Sequence, residues 1–347
     1  MFRLPAETAN RLRSFYDTRR VCVTGGAGFI GGHLVDALMS LGASITIIDD
    51  LSNASLDHLG GLIELDPARV RFVHASILEP AALARAAEGA SVVFHLGAVC
   101  SVPLSLEQPG RTWEVNATGT LRVLEAAREQ GSKRVVFSAS SSAYGNASRL
   151  PVREDDLPAP LSPYAASKVS GEHLMEAYAE SYGLSTVSLR YFNIFGPRQR
   201  ADSPYSGVIP KFVKAAIKGE PLVMHGDGEQ SRDFTFVGNA VLANLLAGSS
   251  GTPLAGEVIN IGTGVRTTVR ELASRVLEAF QRPDSLAQVG PIRRGDVLHS
   301  LADITRAHDL IGYEPITDVQ AGLEQTFEWW RGLPDADRGV RAERGSA

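Results

Sequence analysis

Between Arg20 and Asp50 the chain reads RVCVTGGAGFIGGHLVDALMSLGASITIIDD, and this stretch restricts the fold more than any other. Arg20–Thr24 has the make-up of a short buried strand. Glycines follow, and then Leu34, Leu38 and Leu41 recur at helical spacing. Gly42 and Ala43 end that helix, and SITIID resumes as an apolar, β-branched strand. Strand, crossover helix and strand form a βαβ unit, which sets its two strands parallel.

The rhythm repeats. RVRFVHA, SVVFHLGAV, KRVVFSAS and LSTVSLRYFNIFG read as strands; EPAALARAAE, WEVNATGTLRVLEAAREQ and SKVSGEHLMEAYAESYG read as helices among them. Such alternation predicts a doubly wound parallel α/β sheet. After GPRQR the pattern loosens. SGVIPKFVKAAIKGE reads as a helix, LVMHGDGEQSRDFTFV as a hairpin or short strands, and GEVINIGTG as one more strand. The expected division is a first domain at 1–195 with a returning segment at about 232–263. A smaller α/β domain then comes from 196–231 and 264–335, and a disordered tail from 336–347.

Composition removes several classes. At 44% hydrophobic and 21% charged, the 347 residues suit a soluble globular protein, and a net charge of -5 gives no reason to expect a nucleic-acid or anionic-membrane partner. Two cysteines make no disulfide framework, and no Cys/His cluster has metal-ligand spacing, so no metal is expected and a reducing, cytoplasmic setting is. The opening MFRLPAETANRLRSFYDTRR lacks the apolar core of a secretory signal. Val21–Val35 is crowded with glycine and followed by Asp36, so it is no membrane span.

Gly25, Gly28 and Gly31 lie between the first strand and the first helix. Glycines there let the chain turn tightly and let backbone approach a pyrophosphate, which the helix start then favours with free N–H groups. Asp49 ends the next strand, placed to bridge ribose hydroxyls. A carboxylate there repels a 2′-phosphate, and no arginine follows in DDLSNAS to offset it, so NAD is expected over NADP.

SPYAASK, Ser162–Lys168, sets Tyr164 and Lys168 on one helix face just behind a proline suited to a helix start. Alone, such a pair is more often solvated surface than chemistry. Ser140, Ser141 and Ser142 stand where KRVVFSAS ends, and the C-terminal ends of strands are where open α/β sheets bind ligands.

Together, TGGAGFIG, HLGA, VNATGT, SASSSAYG, SPYAASK, RYFNIFGP, SRDFTFV and NIGTG resemble the extended short-chain dehydrogenase/reductase family, from Arg20 to about Trp330. Within it the chain looks most like nucleotide-sugar 4-epimerases, especially those handling N-acetylated UDP-hexosamines. The resemblance implies a Rossmann domain, bound NAD, a UDP-sugar substrate and a homodimer. Sugar 4,6-dehydratases carry TDEVYG and decarboxylases SEVYG at the serine turn; this chain has Ser141-Ser142-Ala143 there, with no carboxylate. The alternatives are another nucleotide-sugar enzyme (a UDP-glucuronate 4-epimerase or decarboxylase, a 4,6-dehydratase, a C5-epimerase) or a dinucleotide sensor, which would be expected to lose Tyr164 or Lys168.

The resemblance also implies roles. Tyr164 is the general base and acid, Lys168 lowers its pKa and bonds the nicotinamide ribose, and Ser140 and Ser142 meet the sugar. A free phenol has a pKa of about 10, and a lysine about 4 Å away at an effective dielectric near 20 is worth up to about 4 kcal/mol, near three pKa units. Phe29, Ile30, Asn53, Ser76, Ile77, Leu96, Gly97, Ala98, Asn116 and Tyr191 join the cofactor site by the same resemblance. Ser101, Asn193, Val208, Ile209, Arg232, Arg293, Asp296 and Ser300 join the UDP-sugar site. For Arg232 the rival reading is an ion pair with Asp233. Ser76 stands where the family usually has an acid beside adenine, so a more readily dissociated cofactor is expected. Cys100 is read as packing near the nicotinamide. Leu121, Leu124, Leu174 and Tyr178 are expected in a four-helix dimer seam. Ser300 replaces a tyrosine that walls off C2 of the sugar in many glucose-specific members. That leaves room for an N-acetyl group unless His299 or Met224 fills it.

Overall fold

The computed structural model of the chain describes residues 4–199, 207–291 and 297–334. Six strands, β1 (Arg20–Thr24), β2 (Ser44–Asp49), β3 (Val70–His74), β4 (Val92–His95), β5 (Arg134–Ser140) and β6 (Ser185–Tyr191), join a seventh, Ala255–Ile261, in one sheet. The order is seventh, β6, β5, β4, β1, β2, β3, and every pairing is parallel. Strand order reverses between β1 and β4, so the C-terminal ends of these two strands open a crevice at the switch point.

Both sheet faces are apolar because both are covered by helices. Along β1, Val21 and Val23 belong to one core with Ile45, Ile47, Phe94 and Leu189, while Cys22 belongs to the other with Val93, Val135 and Phe137. Each such side chain contributes about 1.5–3 kcal/mol on full burial. The polar-looking N-terminus holds a helix, Ala6–Tyr16, that joins the first of these cores. Its Leu12 and Tyr16 are fully buried, and the Tyr16 hydroxyl donates to the Leu245 carbonyl at 2.8 Å.

A second lobe packs the helices Val208–Lys218, Val269–Ala279 and Val319–Gly332 around Phe212, Val213, Leu272 and Leu323. Of the hairpin or short strands expected in LVMHGDGEQSRDFTFV, the short strands form, and they do not pair with one another. Leu222–His225 pairs in parallel with Ala287–Gly290, Ser231–Arg232 antiparallel with Thr267–Thr268, and Thr235–Phe236 in parallel with Ile194–Phe195. Gly226 and Gly228, at φ of +75° and +84°, turn the chain off toward partners distant in sequence. The expected strand LSTVSLRYFNIFG is likewise split at Asn193, whose φ is +38°.

The expected dimer seam needs correction. Leu124 and Tyr178 are buried in their own subunit's core and Leu174 packs against it, because the helix faces carrying them close over the sheet. Leu121 is 37% exposed and Tyr182 57%. The stretch read as a tail, 336–347, lies outside the described residues. Among the described residues no helix is long and apolar enough to cross a membrane.

Candidate active site

β1 delivers the chain into the glycine bend. Gly25 has φ +68°, and a Cβ there would lie 2.6 Å from the Gly97 nitrogen; a Cβ on Gly31 would lie 2.2 Å from the Gly25 carbonyl oxygen. Neither position admits a side chain. Gly28 starts the helix Phe29–Ser40 with no side-chain cap, which leaves its first N–H groups to a ligand or solvent. Asp49 staples this bend: one carboxylate oxygen accepts from Ala27 N at 3.0 Å and the other from Leu51 N at 2.9 Å. Burial is the main cause raising its pKa. A bend with no room for Cβ, an uncapped helix start and an acid at the end of β2 fit a dinucleotide.

Several expected cofactor residues are otherwise engaged. Phe29 and Ile30 pack against the second lobe's core, Phe29 also edge-on to His33. Ser76 accepts from Leu78 N at 3.2 Å, and its own N–H donates to Glu79, so it shapes a turn before the helix Pro80–Ala87. The Tyr191 hydroxyl is bonded to Ser138 and Asn244, and its ring belongs to the first core. Asn53 is exposed in a turn, and Leu96 and Ala98 are half-buried. Ile77 is buried beneath Gly97 and Gly119, where a Cβ would come within 3.3 and 2.7 Å of it.

The helix Pro163–Tyr182 is capped by Ser162, which accepts from Ala165 N at 3.1 Å. Gly171 lies against the Phe137 ring with no space for a Cβ, which brings the helix close onto β5. Tyr164 is half-buried, with Ser140 close enough to its phenol to influence its titration. The Ser142 hydroxyl donates to Ser140 at 2.9 Å. Lys168 is buried, and its ammonium donates to the Ser138 carbonyl at 2.8 Å. Burial pushes Lys168 down to about 8. Burial also raises the Tyr164 phenol, and Ser140 opposes it. Desolvation is the largest influence on this phenol, and the Lys168 ammonium is turned to the Ser138 carbonyl.

Asn116 is buried in the π-turn Glu114–Thr118, a feature often found at functional sites. Its amide accepts from Val99 N at 2.8 Å and donates to Val99 O and to Ser167 Oγ at 3.0 Å each. Ser167 in turn donates to the Tyr164 carbonyl at 2.8 Å. Asn116 thus locks the start of the tyrosine helix to the loop after β4. Glu172, one turn beyond Lys168, went unnoticed in the sequence although its i,i+4 spacing marks it. It forms a buried two-point pair with Arg190 at 2.8 and 2.7 Å. Arg190 lies over the Tyr144 ring, and Tyr144 donates to Asn260 at 2.6 Å, anchoring the serine turn.

On the substrate side, Ser101 caps the helix Val102–Glu107, its hydroxyl oxygen accepting from Leu104 N. Cys100 is exposed rather than packed, its thiol directed at the Ala98 carbonyl at 3.3 Å. Ile209 is buried in the lobe core with Val208 packed against it. Asn193 donates to the Asp233 carbonyl at 3.2 Å. Arg232 donates to the Ser231 and Leu298 carbonyls. The Asp233 carboxylate accepts from Thr263 N and Oγ1, Gly264 N and Ala302 N, a backbone-centred arrangement in place of the ion pair weighed above. Ser300 N donates to Ser231 O at 3.0 Å, next to Arg232. Met224 is buried in the lobe core, and the His299 ring is bonded to Ser231. Arg293 and Asp296 lie outside the described residues. Among the described residues no group of three His, Cys, Asp or Glu side chains is placed to hold a metal.

Residues 21–262 match the model of the NAD dependent epimerase/dehydratase family. A UDP-glucose 4-epimerase of Mycolicibacterium smegmatis is 37% identical over 314 residues, 90% of this chain and 98% of its own length. A UDP-N-acetyl-alpha-D-glucosaminuronate decarboxylase of Bacillus cytotoxicus is 34% identical over 327 residues, again 90% and 98%. Among solved structures, the UDP-N-acetylglucosamine 4-epimerase from Methanobrevibacter ruminantium M1, in complex with UDP-N-acetylmuramic acid, superposes with a TM-score of 0.84 at 38% identity. That superposition covers 91% of this chain and 99% of the other.

Proposed function

The chain belongs to the NAD-dependent epimerase/dehydratase family, and from that premise we propose that it inverts C4 of a UDP-hexose through a 4-keto sugar. The substrates are UDP-GlcNAc/UDP-GalNAc and also UDP-Glc/UDP-Gal. One observation carries the reading. Tyr164, Lys168 and Ser140 converge where β5 ends, and no carboxylate stands in the adjoining turn. Dehydration needs a further acid and base, and decarboxylation resembles it in wanting a carboxylate at this turn. Glu172, the acid nearest Lys168 along its helix, is locked to Arg190.

NAD, when bound, supplies a reversible hydride acceptor. The work of this chain is on protons and position. Tyr164 takes the 4-hydroxyl proton and returns it, with Ser140 holding the sugar oxygen beside the phenol. Burial raises the phenol, and Lys168 is the residue of this chain whose positive charge opposes that. Asn193, Arg232, Arg293 and Asp296 grip the uridine diphosphate, guanidinium groups being suited to phosphate oxygens. The hexose is left loose enough to present its other face. The proposal includes a homodimer, a cytoplasmic setting, and the division into a 1–195 nucleotide domain and a second, substrate lobe.

The test is incubation with UDP-Glc, UDP-GlcNAc, UDP-GlcA and their C4 epimers, the products resolved by chromatography and NMR. C4 epimers are expected. Loss of CO₂ or of water would make the enzyme a decarboxylase or dehydratase, and binding without turnover would make it a sensor. Tyr164→Phe keeps the ring and is expected to cost about 10²–10⁴ in rate while NAD and UDP-sugar still bind.

A further inference from the structure

At the closed end of the crevice lies a polar relay that the reaction above does not use. His95, the last residue of β4, is 1% exposed. Its Nδ1 is 2.8 Å from Thr24 Oγ1, at the end of β1, and its Nε2 is 3.0 Å from Thr120 Oγ1. The direction of each bond follows from the proton count. The Thr120 hydroxyl has one proton and gives it to the Asn116 carbonyl at 2.5 Å. Toward His95 it therefore accepts, and the hydrogen sits on Nε2. Nδ1 is then an acceptor, and the Thr24 hydroxyl is its donor. Thr24 Oγ1 accepts in turn from Gly97 N at 3.0 Å. The relay runs from the Gly97 N–H through Thr24, His95 and Thr120 to the Asn116 carbonyl, with every proton assigned.

Its two ends are functional. Gly97 backs onto Gly25, at the tightest point of the glycine bend. Asn116 fixes Val99 and, through Ser167, the first turn of the Tyr164 helix. We infer that His95, as its Nε2–H tautomer, is a positioning residue that sets the spacing between the nucleotide-binding bend and the helix carrying Tyr164. An imidazole suits this task because it is rigid and carries one acceptor and one donor at opposite sides of its ring. Protonation would break the relay, since Nδ1 would then donate to a Thr24 oxygen left without an acceptor for its own hydrogen. It would also place a second cation beside Lys168, which lies over the same Phe137 ring that stacks on His95. Burial first, and Lys168 second, push His95 down to about 3, so the neutral form persists through the working range.

The link to Tyr164 rests on the catalytic role proposed above; the tautomer and the NAD arm of the test do not. His95→Asn retains an acceptor near the Nδ1 position and loses the Thr120 arm. His95→Gln reaches the Nε2 position and loses the Thr24 arm. The expected result is a split. His95→Asn keeps the Kd for NAD and lowers kcat, His95→Gln weakens NAD, and each effect is about three- to tenfold, the size of one buried hydrogen bond. Thr120→Val should add nothing to His95→Asn, since both cut one arm. On the unaltered protein, ¹⁵N NMR of the imidazole should show a slowly exchanging Nε2–H down to about pH 4, whether or not any sugar nucleotide is turned over. An Nδ1–H tautomer would overturn the inference. So would equal losses of NAD affinity and kcat in both His95 variants in step with a lowered Tm, which is the behaviour of a histidine that merely packs.

Discussion

The Lys168 ammonium donates to the carbonyl of Ser138, two residues before Ser140 on β5. This bond holds the charge beneath the end of β5 and away from open solvent. Burial lowers Lys168 to about 8, so the ammonium is held below that pH and lost above it. If the cation is what draws the Tyr164 proton off, kcat/KM for a UDP-sugar should fall as pH rises through about 8. Lys168→Met should remove that limb along with about 100-fold or more of the activity. A kcat/KM profile that climbs steadily to pH 10 would mean the lysine charge plays no part.

Gly31 has no space for a methyl group, since a Cβ would lie 2.2 Å from the Gly25 oxygen. Gly31→Ala should destabilise the fold by about 1–3 kcal/mol through overpacking and weaken NAD at least tenfold. Gly61, with nothing within 4 Å of a Cβ and set in a helix, is the control, and Gly61→Ala should be neutral or slightly stabilising. Calorimetry and NAD titration on both variants read the difference.

Ser300 follows His299 and hangs from Ser231 by its backbone, beside Arg232. Met224 is committed to the lobe core and the His299 ring is bonded to Ser231, and Ser300 is proposed to bear on the C2 side of the sugar. Ser300→Tyr should abolish turnover of UDP-GlcNAc and spare UDP-Glc. A missing group in a roomy pocket costs about 1–3 kcal/mol, so the unaltered enzyme should accept both. Equal loss on the two substrates would discard this gate.

Leu121 and Tyr182, with Trp113, are large exposed side chains of the two stretches expected to pair between subunits, and Arg128 covers the Tyr182 ring at 5.0 Å. Light scattering at micromolar concentration should give twice the chain mass, and Leu121→Asp should give one. A single-chain mass for the unaltered protein would end the dimer proposal.

What was legible in the sequence was local. The glycine bend, Asp49 and the Tyr164–Lys168 spacing each follow from one short stretch, because helix and strand periods put those residues on known faces. Contacts between distant stretches were not legible. Nothing near Leu222 announces Ala287 as its strand partner, and nothing in HLGA says that His95 reaches both Thr24 and Thr120. Local hydroxyl partners were not legible either: Ser76 accepts within a turn, Ser101 within a helix cap, and Tyr191 is bonded in the core. Burial, the main cause raising the Tyr164 phenol, is likewise invisible in a sequence that shows charge spacing.

In the proposed reaction a hydride leaves C4 and returns to the same carbon from the other side. Incubating the purified enzyme with UDP-GlcNAc deuterated at C4 and following the sugar protons by NMR tests this. UDP-GalNAc that keeps deuterium at C4 is expected, with no NADH accumulating. Deuterium lost to solvent, or NADH formed in step with product, would contradict it.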